Sequence, residues 1–165
     1  MKVREIKAED VEGFCKIRNQ VDAESRYMLF GADERKADVE EEKKKIASML
    51  RNETSTIFVA EQDEKLVGYL VAVGSEAKKK RHAVYLVIGV LEKAQGTGVG
   101  TALFNKLEDW AESKNVHRLE LNVATPNEGG LALYKKFGFE VEGLKRHSLL
   151  MDDTYVDEYY MGKLL

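Results

Sequence analysis

Val90-Leu91-Glu92-Lys93-Ala94-Gln95-Gly96-Thr97-Gly98-Val99-Gly100-Thr101 is the stretch around which this chain is organised. An apolar run, Val84–Leu91, leads into it, and a helical pattern from Val99 to Lys114 leads out. The stretch therefore reads as a strand, a glycine-rich turn and the first turn of a helix. Gly96, Gly98 and Gly100 leave backbone N–H groups unobstructed, and the helix adds its unpaired N-terminal donors and positive dipole end. A helix terminus built this way binds a phosphate or pyrophosphate.

Spacing separates the kinds of phosphate loop. A P-loop carries Lys and then Ser or Thr directly after its last glycine, whereas Gly100 is followed by Thr101-Ala102. The dinucleotide fingerprint is Gly-x-Gly-x-x-Gly, and here the third glycine comes one place early. What remains is Gln-x-x-Gly-x-Gly over Gln95–Gly100, with Val90 upstream.

Composition bounds the rest. At 165 residues the chain is sized for a single domain, 1–165, and its 44% apolar and 33% charged content is that of a soluble globular protein. The lone proline, Pro126, and the lack of Ser- or Pro-rich stretches argue against a linker. Met1-Lys2-Val3-Arg4-Glu5 lacks the apolar core of a signal peptide, and no apolar run approaches a membrane span. Cys15 is the single cysteine, so neither an intrachain disulfide nor a cysteine-based metal cluster is expected, and no metal site is assigned. A reducing, cytoplasmic setting fits. A formal charge of −3 gives no reason to expect nucleic acid as partner.

Outward from the loop, Val3–Ile6 reads as a first strand, and Asp10 as the cap of a helix burying Val11, Phe14, Ile17 and Val21, with Cys15 in the core. Ala23–Asp33 breaks the periodicity. Its Tyr27, Leu29 and Phe30 read either as lining a pocket or as plugging the core. Asp38–Leu50 is a second helix with Glu40/Lys44 and Glu41/Lys45 pairs outside and Val39, Ile46, Met49 and Leu50 inside. Ser55–Gln62 and Leu66–Ser75 form a hairpin, and Lys78–Arg81 is a basic turn. His82–Leu91 enters the loop. Its continuously apolar part, Val84–Leu91, suits a central strand covered on both faces. Arg118–Val123 alternates as a strand, Asn127–Phe137 is a short helix, and Phe139–Leu149 pairs with Tyr155–Lys163 through Asp152-Asp153. The expected fold is α/β (α+β), a mixed, mostly antiparallel central sheet flanked by helices, in the order βααβββαβαββ.

A second motif, Asn127-Glu128-Gly129-Gly130-Leu131-Ala132-Leu133-Tyr134-Lys135-Lys136-Phe137-Gly138-Phe139, follows about thirty residues after the first. Gln95–Gly100 resembles the pyrophosphate loop of the GCN5-related N-acetyltransferases. Asn127–Phe139 resembles their second block, Asn-x-x-Ala-x-x-Leu-Tyr-x-x-x-Gly-Phe, with Gly130 where alanine is usual, which weakens the helix slightly. The tail Glu142-Gly143-x-x-Arg146 and Tyr155-x-Asp157-Glu158-x-x-Met161 is similar to the branch containing ribosomal-protein, polyamine and phosphinothricin-type acetyltransferases.

The resemblance implies acetyl-CoA as cofactor. Its pyrophosphate is expected on Gln95, Gly96, Thr97, Gly98, Val99, Gly100 and Thr101, with Gln95 and Gly98 closest. Its pantetheine arm is expected along the backbone of Ile88, Gly89 and Val90, hydrogen-bonded by Asn127. A neutral amine would attack the thioester directly, the Val90 N–H facing the developing oxyanion. Tyr134 is the candidate general acid for the leaving thiolate, since a phenol titrating near 10 is protonated at neutral pH. The base is not legible: a water chain to His82, Tyr85 or Glu61 would serve. Tyr27, Phe30 and Tyr85 are the substrate-binding candidates, and Asp157 and Glu158 either meet a cationic substrate or pair with Arg146 or Lys145. The implied function is an N-acetyltransferase acting on a small-molecule amine or a protein N-terminus, with a possible homodimer. A catalytically silent acyl-CoA-binding module is the alternative, and nucleotide binding is disfavoured by the glycine spacing.

Overall fold

The computed structural model describes residues 1–36 and 38–165. Seven strands form one sheet in the order β1-β2-β3-β4-β5-β7-β6. They are β1 (Lys2–Glu5), β2 (Thr56–Gln62), β3 (Lys65–Val73), β4 (Ala83–Val90), β5 (Arg118–Ala124), β6 (Glu140–Met151) and β7 (Thr154–Leu164). Four helices, α1 (Val11–Glu24), α2 (Val39–Leu50), α3 (Val99–Ser113) and α4 (Glu128–Lys136), complete the expected order βααβββαβαββ. Every neighbouring pair is antiparallel except β4 and β5, which run parallel with α3 as their crossover.

Register assigns the layers. Phe58, Leu70 and Ile88 stand opposite one another on one face, and Val59, Tyr69 and Gly89 on the other. Trp110 of α3 meets Phe58 edge-on at 6.1 Å, while Phe14 of α1 meets Tyr69 edge-on at 5.3 Å. So α3 covers the first face and α1 the second. Strand β4 lies between the two, which explains its unbroken apolar run. Helix α4 lies beside α3, with Phe137 stacked on Phe104 at 4.9 Å. The β2–β3 and β6–β7 hairpins turn through Asp63-Glu64 and Asp152-Asp153, all four in the left-handed region, as a two-residue turn matched to strand twist requires.

Several local readings change. Asp10 precedes α1 but does not cap it. Its carboxylate accepts the Lys7 amide at 2.7 Å and both Arg4 nitrogens, at 2.6 and 2.9 Å, so charge pairing outcompetes capping. Asp38 does cap α2, accepting from the Glu40 amide at 2.9 Å. On α2 the ion pairs are Glu40–Lys43 and Glu42–Lys45, one residue closer than expected, because Glu42 also turns inward to Arg18 at 2.9 Å. Leu50, at the fraying end of α2, is 37% exposed rather than inside. Cys15 is buried, as read.

Candidate active site

Strand β4 breaks into a short 3-10 turn, Glu92–Ala94, and the chain then passes Gly96 (φ 73°) and Gly98 (φ 90°) into α3. A left-handed backbone at two nearby positions is what demands glycine here. Gln95, Gly96, Thr97 and Gly98 are exposed. No side chain caps α3 and no acidic residue occupies its first turn, so its leading N–H groups remain open to an anion. Thr97 Oγ1 donates to the Ala94 carbonyl at 2.7 Å and Gln95 Nε2 to the Val90 carbonyl at 3.3 Å, bracing the loop.

Two loop residues serve packing through their side-chain positions. Val99 is buried, and a β-carbon on Gly68 would lie 2.8 Å from it; one on Gly100 would lie 2.9 Å from Leu133 of α4. Thr101 accepts a hydrogen bond from Lys136 Nζ at 3.1 Å. This lysine, which brings a cation to the α3 N-terminus, was not singled out from the sequence. Its position next to the Leu-Tyr motif was the available signal.

The sheet splits beside the loop. Strands β4 and β5 pair through three rungs, Ala83–Arg118, Val84–Leu119 and Tyr85–Glu120. Beyond them β5 continues with β7, and β4 with β3 alone. The Leu91 amide donates to Val67 at 3.0 Å, toward β3. Strand alternation then turns the amides of Ile88 and Val90 the other way, into the gap. Gly89 lies between them, and a β-carbon there would stand 2.5 Å from Tyr69 Cζ, so Tyr69 lies across the strand at this point.

Tyr134 is buried against Phe104 and Phe139, with ring centroids at 5.9 and 6.1 Å. Burial pushes its phenol up to about 12, and the nearby Tyr85 phenol adds to the shift. Tyr134 comes from the α4 side, and strand alternation puts Tyr85 on the α1 face of β4. Burial and then the Glu158 carboxylate raise Tyr85 too, although 38% of the residue is exposed. Asn127 caps α4: its Oδ1 accepts the Gly130 amide at 3.0 Å, leaving Nδ2 as its donor.

The other candidates separate. The Tyr27 hydroxyl donates to the Pro126 carbonyl at 3.2 Å, which puts it beside Asn127, next to a cavity of about 240 Å³ between Arg26, Pro126, Met151 and Asp152. Phe30 neither plugs the core nor reaches that cavity; it is 37% exposed beneath the Arg35 guanidinium, 4.1 Å from the ring centroid. Leu29 is exposed. A larger cavity, about 390 Å³, lies at the far end of β3 near Ser48, Asn52 and Val73. His82 precedes β4 and is exposed, seven residues or about 23 Å of strand from Gly89. Glu61 is held by Arg4 at 3.1 Å. Asp157 accepts the His147 amide at 2.7 Å, fixing a bulge in β6, and Glu158 accepts from Ser148 Oγ at 2.7 Å; Glu158 stands opposite Lys145 in the β6–β7 register, but neither carboxylate forms an ion pair with Arg146 or Lys145 among the described residues.

The profile of the acetyltransferase (GNAT) family matches residues 21–139. The chain belongs to that family. It is 32% identical over 108 residues to the L-amino acid N-acetyltransferase AaaT of Escherichia coli (strain K12), a match covering 65% of this chain and 67% of that protein. An N-alpha-acetyltransferase of Sulfurisphaera tokodaii is 34% identical over 119 residues, 65% of this chain and 70% of that one. The crystal structure of a GNAT-family acetyltransferase from Streptococcus pneumoniae superposes with a TM-score of 0.94 at 25% identity, covering 99% of this chain and 98% of that one. The chain is accordingly an N-acetyltransferase, and acetyl-CoA is its co-substrate. Among the described residues no helix is long and apolar enough to cross a membrane.

Proposed function

We propose that this enzyme acetylates a primary amine, on a small molecule or a protein N-terminus, by direct attack on acetyl-CoA in a ternary complex. The observation that carries the reading is the gap beside β4, which leaves two inward amides without a ladder partner among the described residues, next to a helix N-terminus open to pyrophosphate. The E. coli relative is named for L-amino acids and the Sulfurisphaera relative for N-alpha-acetylation. Both names support an amine acceptor.

The pyrophosphate sits on the Gln95–Thr101 backbone, with Lys136 beside it, and the pantetheine arm runs along Ile88–Val90. The Val90 amide, with that of Ile88 beside it, faces the gap and is the donor to the thioester oxygen. As the amine attacks, charge grows on that oxygen and the fixed amide stabilises it without reorganisation. Tyr134 then donates to the departing sulfur. Burial raises the Tyr134 phenol, which keeps its proton in place at neutral pH. Tyr134 therefore begins as a hydrogen-bond donor, and the proton crosses as sulfur charge peaks.

The test is thiol release from acetyl-CoA against amino acids, polyamines and N-terminal peptides, with Tyr134→Phe alongside. The variant is expected to keep acetyl-CoA affinity and lose about a hundredfold in kcat. Because the phenol stays protonated to about pH 12, kcat of the parent enzyme shows no alkaline fall attributable to Tyr134 below pH 10. An unchanged kcat in the variant removes Tyr134 from the reaction.

A further inference from the structure

Beneath the C-terminal half of α1 lies a polar cluster that the proposed mechanism leaves unused. Asp22 is 3% exposed and Tyr69 1%. Arg35 Nε donates to Asp22 Oδ2 at 2.6 Å, which leaves Oδ1 over. That oxygen, the Tyr69 hydroxyl and Arg18 Nε are buried with no hydrogen-bond partner among the described residues. Arg18 precedes Asp22 by one helical turn, and its guanidinium lies 5.4 Å over the Phe14 ring, which meets Tyr69 edge-on at 5.3 Å, so the three unpaired atoms belong to the same side of α1, against β3. An unmet carboxylate oxygen inside a core is costly, and folded proteins keep one where water or a ligand meets it.

The cluster stands where an acceptor must arrive. The Tyr69 hydroxyl is 2.7 Å from where a β-carbon of Gly89 would be, on the α1 face of β4, between the inward amides of Ile88 and Val90. Glu24, two residues beyond Asp22, accepts the Glu92 amide at 2.8 Å and ties the end of α1 to the end of β4. Tyr134 belongs to the opposite face. Nucleophile and leaving group would thus approach the thioester from opposite sides of the sheet.

We propose that Asp22 Oδ1 and the Tyr69 hydroxyl form the seat of the acceptor's ammonium group, and that the enzyme selects cationic aliphatic primary amines. The proposal rests on the acetyl-transfer reading above. An ammonium group has three donors and no acceptor. One donor meets Asp22 Oδ1 and a second the Tyr69 oxygen, while the third proton passes to solvent before attack, so that the neutral amine turns its lone pair to the thioester. Arg35 keeps Oδ2, so its ion pair need not break. Entry requires residues 25–31 to lift while Arg35 stays on Oδ2, and two of their ties, Arg26–Asp152 at the β6–β7 turn and Tyr27–Pro126 between β5 and α4, lie at the surface.

The experiment measures acceptor KM with 1-aminobutane, cationic at neutral pH, and methoxyamine, neutral there. Asp22→Asn is expected to raise KM for 1-aminobutane at least about tenfold, leaving methoxyamine and acetyl-CoA within about twofold. Tyr69→Phe, which keeps the ring over Gly89, raises it about fivefold with the same selectivity. Arg35→Gln breaks the same ion pair as Asp22→Asn but leaves the carboxylate, and is expected to stay within about twofold. Equal losses in the Asp22 and Arg35 variants would make Asp22 an anchor for residues 25–36 and overturn the proposal. Equal losses on both amines would assign Asp22 to proton handling, and overturn it too. Should Asp22→Asn fail to fold, the Tyr69→Phe contrast between the two amines decides. If acetyl-CoA no longer raises the unfolding temperature of the parent enzyme, the acetyl-transfer reading itself fails, a signature separate from a loss confined to acceptor KM.

Discussion

At the scale of single residues, the site depends on what glycine permits. Gly89 has no sequence motif to announce it, yet Tyr69 fills the place of its side chain. Gly89→Ala would press a methyl group against a ring that is 1% exposed and cannot retreat. The expected loss is about 1–3 kcal/mol, read as a lower urea midpoint. Gly143→Ala is the control, since its β-carbon would stand 3.6 Å from Tyr160, an ordinary contact, and should change stability by less than about 0.5 kcal/mol. Gly130 balances two terms. Alanine would gain about 1 kcal/mol of helix propensity, but its β-carbon would lie 2.8 Å from Asn127 Nδ2 and disturb a cap worth about the same.

At the scale of elements, periodicity located the α-helices and most strands, because each buries one regular face, while β4, covered on both, showed as an unbroken apolar run. The glycine loop and the α4 motif were legible for a related reason: local backbone geometry dictates their residues. Side-chain partnerships from distant parts of the chain were not. Asp10 has the type and place of a helix cap, and nothing local reveals Arg4 as its partner. Asp22 follows Val21 on an apolar face, and its only local hint is Arg18 one turn earlier. Tyr69 and Gly89 meet through the β3–β4 register, which a nine-residue connection between those strands, with its own 3-10 turn, leaves unspecified. The Arg4–Asp10 joint between β1 and α1 carries a pH signature. Arg4 holds the Asp10 carboxyl below its usual range, so the joint contributes stability above that range and loses it as pH falls through it. Asp10→Asn is therefore expected to flatten the fall in unfolding free energy below about pH 5, measured by denaturant titration across pH.

At the scale of the whole molecule, the three-rung junction between β4 and β5 makes the sheet two panels with a narrow hinge. A pantetheine arm in the gap would act as a strand that the chain does not encode, joining panels that the polypeptide leaves apart. Saturation at a hundred times Kd should then add about 2.7 kcal/mol to stability. Hydrogen exchange would show where: the amides of Ile88 and Val90 should slow on binding, while that of Leu91, already bonded to Val67, should not change. Uniform slowing along β4 would instead mean general stiffening. On this reading each catalytic cycle dismantles a piece of the enzyme's own architecture. The product leaves with the rung it supplied, and the domain waits, unfinished, for the next donor to complete it.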